Sequence, residues 1–142
     1  MPKTLIVFCF LANFFFSSCE KPARGCTDSK ALNKDYAADE DDGSCTYSRA
    51  VFYQAFATVN FRTIVGVEVN VDGTLLGSTF AIYPAGPGNC SAVGTLVYQF
   101  QDGESIDWNS KIYLEDGTIL LGSGTARADA RNDCIRVNAT PF

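Results

Sequence analysis

The chain has no histidine among its 142 residues. That removes the side chain that most often acts as a general base near neutral pH, and with it any Ser-His-Asp or Cys-His arrangement. It also removes the commonest nitrogen ligand for transition metals, and no closely spaced cysteine pair stands in its place. A glycine-rich phosphate loop is missing too. Basic residues are few, 11 Lys and Arg against 16 Asp and Glu, for a net charge of −5. With no basic run, the chain is poorly suited to nucleic acid, whose phosphates demand Lys and Arg. No apolar run reaches the roughly 20 residues that span a bilayer as a helix. An enzyme or a nucleic-acid binder is therefore not expected. What the chain does have is enough hydrophobic content, 46%, for one domain with its own core.

The N-terminus opens with one positive charge, Lys3, followed by the apolar stretch from Leu5 to Phe16. Its length suits a signal-peptide h-region and is too short for a membrane span. Phe16-Ser17-Ser18-Cys19 resembles the bacterial lipobox, in which an apolar residue and two small ones precede a lipid-accepting cysteine. The resemblance implies removal of residues 1–18 and a lipid anchor on Cys19. Losing Lys3 leaves 10 basic and 16 acidic side chains, or −6. Of six cysteines, Cys9 leaves with the leader and Cys19 carries lipid, so four remain. Cys26, Cys45, Cys90 and Cys134 are then an even set for two disulfides in an oxidising compartment, with three possible connectivities.

Residues 19–25 are short, polar and contain Pro22 and Gly25, and read as a tether. Residues 26–47 are bounded by Cys26 and Cys45 and crowd Asp35, Asp39, Glu40, Asp41 and Asp42 into eight positions. The segment is too small and polar to fold on a core of its own. A Cys26–Cys45 bridge would stabilise it by roughly 3 kcal/mol in the chain-entropy model. Carboxylates at such density are what calcium coordination uses, so Asp35, Asp39, Asp41 and Asp42 are candidate calcium ligands, with Gly43 supplying a tight turn. The spacing is not that of an EF-hand, and a solvated acidic loop is the alternative. The run Gly25-Cys26-Thr27-Asp28 … Asp41-Asp42-Gly43-Ser44-Cys45-Thr46-Tyr47 resembles a motif common in secreted and surface proteins of the Bacteroidota.

From Arg49 onward apolar residues alternate and Asp-Gly pairs punctuate them. Strands are expected over 50–56, 64–71, 74–82, 93–100, 106–114, 118–126 and 134–140. Val65, Val67, Val69 and Val71 should share one face, and Asp72-Gly73, Asp102-Gly103 and Asp116-Gly117 should turn the chain in hairpins. Seven strands over 49–142 predict an all-β fold, a seven-stranded antiparallel β-sandwich behind the short cysteine-bounded segment. The stretch Val67-Glu68-Val69-Asn70-Val71-Asp72-Gly73-Thr74-Leu75-Leu76-Gly77 resembles a hairpin of the small transthyretin-like (carboxypeptidase-regulatory-like) sandwiches. That resemblance implies a Cys90–Cys134 pairing, because the family carries cysteines at corresponding places.

Candidate chemistry is thin. Trp108, the sole tryptophan, sits at an alternating strand position that suits the core better than a sugar-stacking platform. Tyr83 and Tyr98 flank the Pro-Gly loop. Asp102, Glu104 and Asp107 cluster where turn geometry alone favours acids, and so do not read as a glycosidase pair. Arg127, Asp129, Arg131 and Asp133 read as a solvated face. The sequence points to a non-catalytic lipoprotein of the outer membrane, anchored by its lipid and facing the cell surface. Its role would be structural or protein-binding within an envelope complex. The alternative is binding of an extracellular glycan.

Overall fold

The computed structural model describes residues 21–142; the expected leader, 1–18, and Cys19, the expected lipid acceptor, lie outside the described residues. The described residues form ten strands and no helix. In chain order they are β1 (Arg24–Gly25), β2 (Glu40–Asp41), β3 (Arg49–Tyr53), β4 (Thr58–Val59), β5 (Arg62–Val71), β6 (Thr74–Thr79), β7 (Leu96–Gln99), β8 (Ser105–Leu114), β9 (Ile119–Arg127) and β10 (Cys134–Asn138). The seven longer ones fall at the expected places, and three two-residue strands are additional.

Two sheets carry the core. One runs β4-β5-β8-β9 with β6 also paired to β5, and the other runs β10-β3-β7. Alternation on β8 is complete, with Ile106, Trp108, Ser110, Ile112 and Leu114 buried. Ser110 donates to the Ala139 carbonyl at 2.7 Å, and the other four meet Val67, Val69 and Val71 from β5, Ala50 and Phe52 from β3, and Val137 from β10 in a single hydrophobic cluster. Phe52 is fully buried and meets the edge of Trp108 at 5.9 Å between ring centroids. Burial of a side chain of that size contributes about 1.5–3 kcal/mol, more for the aromatic pair. The architecture is all-β and sandwich-like.

Three details depart from the sequence reading. First, β10 pairs β3 in parallel, so the sheets are not antiparallel throughout. Second, Val65 is exposed, 58%, while Ile64 is buried. Ile64 faces Leu114 and the next partnered residue is Gly66 opposite Tyr113, which leaves Val65 as the extra residue of a β-bulge. A bulge shifts the inward-outward phase by one residue, and Ile64 takes the buried place that unbroken alternation gives to Val65. Third, Asp102-Gly103 is no hairpin turn. It joins β7 to β8, and these strands lie in different sheets.

The other two Asp-Gly pairs do close hairpins. Asp72 and Gly73 have φ of 47° and 80° between β5 and β6, the left-handed pair of a two-residue type I′ turn. At Asp116-Gly117 only Gly117 is left-handed, and its N–H donates to the Leu114 carbonyl at 2.9 Å. A third tight hairpin was not foreseen: Asn60 and Phe61 both have positive φ between β4 and β5.

Both disulfides form, Cys26–Cys45 with Cα atoms 4.8 Å apart and Cys90–Cys134 with Cα atoms 5.4 Å apart. The first closes the acidic segment, where β1 and β2 make a short parallel ladder. Arg24 and Gly25, read from sequence as the end of the tether, therefore belong to this folded unit. The unit is seated on the end of the sheets: Lys30 Nζ donates to the Gly103 carbonyl at 3.2 Å, and Gln99 Nε2 to the Tyr47 carbonyl at 3.0 Å. Cys26 and Ala31 are buried in it.

Candidate functional site

The register defines two ends. At the near end, next to the acidic segment, lie the start of β3, the 100–104 connection, the Asp72-Gly73 turn and the 127–133 loop. Hydrogen bonds from Phe100 N–H to Ser48 O and from Ala128 N–H to Glu104 O tie these together. At the far end lie residues 54–57, the Asn60-Phe61 turn, the loop after β6 and the start of β9. Ile64 N–H to Ala57 O and Tyr83 N–H to Gln54 O link them.

Three of the four candidate calcium ligands accept local backbone hydrogen bonds, while Asp39 is held through its own N–H, which donates to the Ala23 carbonyl at 2.8 Å. Asp35 Oδ1 accepts the Ala37 N–H, Asp41 Oδ1 the Gly43 N–H and Asp42 Oδ1 the Ser44 N–H, each at 2.9 Å. These are Asx turns, which need no ion. Among the described residues no three acidic, histidine or cysteine side chains converge on a common metal position. The hydroxyl and N–H of Ser44 hold the Asp42 carboxyl below the usual range. Asp28 is held low by the Lys30 N–H and by the Tyr47 hydroxyl, which donates to it at 2.7 Å. The same bond is the main reason Tyr47 ionises only at about 12.

The carboxylates near the Asp102-Gly103 connection are engaged with separate partners. Glu104 accepts from the Tyr98 hydroxyl at 2.9 Å, and burial plus that bond push Tyr98 up to about 12. Asp107 sits one turn away, its N–H donated to Asp72 Oδ1 at 2.9 Å. Asp133 lies 3.7 Å from Arg49, and Asp129 caps the Arg131 N–H. Asn89 and Asn138 also cap their own turns.

Two surfaces remain. The first is a shallow groove of about 570 Å³ lined by Asp72, Asp107, Asn109, Ser123 and Thr125 with Gly124. Its side chains offer carboxylate, amide and hydroxyl groups. It lacks an aromatic platform because Trp108 is only 6% exposed, its indole packed against Gly124. The second is the far end. Phe56, Phe61, Phe80, Ile82, Val93 and Ile119 are all exposed there. Phe61 is wholly exposed and left-handed, with φ of 63°. Bulky residues rarely adopt that conformation, which carries a strain of about 1–3 kcal/mol. Tyr83, the other aromatic singled out in the sequence, is tied down by donating to the Val93 carbonyl at 2.7 Å. Sequence reading missed this apolar end because its residues are scattered over three connections and the start of β9. The one local signal was Asn60 ahead of Phe61, since Asn is the residue most tolerant of the left-handed conformation after glycine.

No family model, curated protein or solved structure matches the chain.

Proposed function

We propose that the protein is a non-catalytic envelope lipoprotein, held on the outer membrane through Cys19 and binding another envelope protein with the far end of its sheets. On this reading the seven longer strands are a β-sandwich of the transthyretin-like kind, and the acidic segment is a rigid collar between tether and sandwich. The observation that carries the reading is the exposed apolar end, which includes Phe61 and is set opposite the collar. Single apolar residues spread over a surface are ordinary, whereas several large ones exposed at one end of a domain favour an interaction site. Aromatic residues supply most of the binding energy in such interfaces. The strained turn keeps Phe61 presented, so little ordering is left to do on binding.

Crosslinking the full-length protein in its native membrane, followed by mass spectrometry of what co-purifies, tests this. A stoichiometric partner that is lost with Phe61→Ser and Phe80→Ser, while both variants melt like the parent, supports it. A partner retained by both variants overturns it.

A second reading, glycan binding, is favoured by the polar groove beside the Asp72-Gly73 turn. Its carboxylate, amide and hydroxyl groups suit a polyhydroxylated ligand. Buried Trp108 withholds the stacking surface that sugar sites commonly use, so this reading stands second.

A further inference from the structure

Among the described residues the long edge of the larger sheet has no paired strand, and only the C-terminal Pro141 packs against it, at Gly122. β9 pairs β8 over nine consecutive residues, from Tyr113 opposite Ile119 to Ser105 opposite Arg127, with no bulge. Its other edge has no strand beside it among the described residues. The remaining edges are blunted: β7 has four residues and β10 five, while β6 is broken by a register shift. Natural proteins usually protect a long edge with a proline, a bulge or an inward-pointing charge. β9 has none of these, and its one charge, Arg127, is at its end.

We infer that β9 pairs antiparallel with β9 of a second copy, joining the two larger sheets into one. Only an extended strand satisfies a row of free N–H and C=O groups, and the sequence of β9 suits its own reverse. With the twofold axis at Ser123, Leu121 faces Thr125 of the second copy and Gly122 faces Gly124 of the second copy. Leu121, 72% exposed, loses water in this arrangement. Ile119 meets the aliphatic stem of Arg127 of the second copy. Charge favours the same orientation. Arg127 has no carboxylate within salt-bridge distance among the described residues. Antiparallel pairing carries it toward the Glu115-Asp116 turn at the opposite end of the other strand. A parallel arrangement would stack the two arginines and the two acidic turns on themselves. This interface shares only Ile119 with the far apolar end and leaves Phe61 and Phe80 uncovered, so it does not rest on the function proposed above.

The test is register-specific crosslinking of the full chain in its own membrane. In Ser123→Cys the two new thiols face each other across the axis. Opposed strand residues have Cα atoms about 4.5–5.5 Å apart, within disulfide reach. Asp107→Cys, on the same outer face but on β8, is three strand spacings across and four residues along from its equivalent, roughly 20 Å away. Mild oxidation should convert most of Ser123→Cys to a band of twice the mass that reductant abolishes, and leave Asp107→Cys monomeric. Adding Leu121→Lys and Thr125→Lys to Ser123→Cys brings like charges together and should lower the dimer yield at least several-fold, with melting unchanged. Equal crosslinking of Ser123→Cys and Asp107→Cys overturns the inference. So does a Ser123→Cys adduct to a different protein, which would make β9 an edge for a foreign strand.

Discussion

Val65 and Val67 carry the same side chain two residues apart on β5, yet the bulge puts one in water and the other in the core. Replacing each by threonine exchanges a methyl for a hydroxyl at nearly constant volume. Val67 is fully buried and paired with Ile112. A hydroxyl there loses water and finds only apolar neighbours, which costs about 1–3 kcal/mol. At Val65, 58% exposed, the hydroxyl stays hydrated, and threonine is as good a strand former as valine. The change should fall within about 0.5 kcal/mol of zero. For a domain of this size, Val67→Thr then lowers Tm by about 3–15 °C, at roughly 3–5 °C per kcal/mol, and Val65→Thr leaves it nearly unmoved. Urea denaturation with both disulfides intact gives the free energies, provided the slope m is the same for parent and variants. Equal destabilisation by the two substitutions would mean that Val65 points into the core. The bulge, and the phase of the first half of β5, would then be wrong.

Removing the Cys90–Cys134 bridge as a double alanine variant should destabilise by about 4 kcal/mol and removing Cys26–Cys45 by about 3 kcal/mol in the chain-entropy model, read by the same denaturation. A reversed order would show that the acidic collar contributes more to folding than its contacts indicate. Asp28, Asp42, Glu115 and Asp116 all have lowered folded pKa values, caused chiefly by hydrogen bonds from Lys30, Ser44, Thr63 and Thr118 respectively. Groups depressed on folding stabilise above their unfolded pKa, about 3.9 for Asp and 4.3 for Glu, and that contribution fades as pH falls through the folded values. Melting temperature should hold down to about pH 5 and drop below about pH 4, with a shallower drop in Asp116→Asn. At the alkaline end, absorbance titration should find Tyr47 and Tyr98 ionising only at about 12. Chelator should leave melting and proteolysis of the 26–45 loop unchanged, because its aspartates already cap backbone turns. A drop of several degrees on chelation would show that they rearrange around calcium.

The strands were legible because a side-chain period of two, interrupted by Asp-Gly, is a local signal. Pairing is not. The same dipeptide closes the β5–β6 and β8–β9 hairpins but at Asp102-Gly103 carries the chain from one sheet to the other. Asp-Gly reverses or bends a chain without stating which neighbour the next strand takes. The parallel contact of β10 with β3 joins residues about 85 positions apart, as Cys134 to Arg49 illustrates, and no local pattern announces it. Val65 was misplaced for a related reason: a bulge inserts one residue into a pattern whose period is otherwise perfect. The calcium expectation came from counting charge. Density says how many carboxylates are near in sequence but not where their oxygens point, and here three point back at their own backbone. The far apolar end was invisible because it is assembled from the β3–β4 connection, the β4–β5 turn, the loop after β6 and the start of β9.

The collar gives that end its meaning. A flexible linker from the lipid to the sandwich would let any face of the domain meet a neighbour, and no end would be distinguished. Instead the disulfide-closed segment is fastened to the near end through Lys30, Tyr47 and Gln99, and the chain leaves it at Arg24, itself paired with Glu40 at 3.2 Å. The point where the polypeptide departs toward Cys19 is thereby fixed at the end opposite Phe61. On the proposed anchoring, the domain stands with its apolar end outward and β9 along its side. The end would be available to a partner above the membrane, and the edge to a second copy anchored beside it. Anchoring in one plane raises the effective concentration of neighbouring copies, so lateral pairing through β9 needs less intrinsic affinity than the same contact in solution. Comparing the Ser123→Cys crosslinking yield of the membrane-anchored chain with that of a Cys19→Ala chain at equal total amount separates the two contributions. A large fall in yield on losing the anchor assigns the pairing to confinement, and an equal yield assigns it to the strand edge itself.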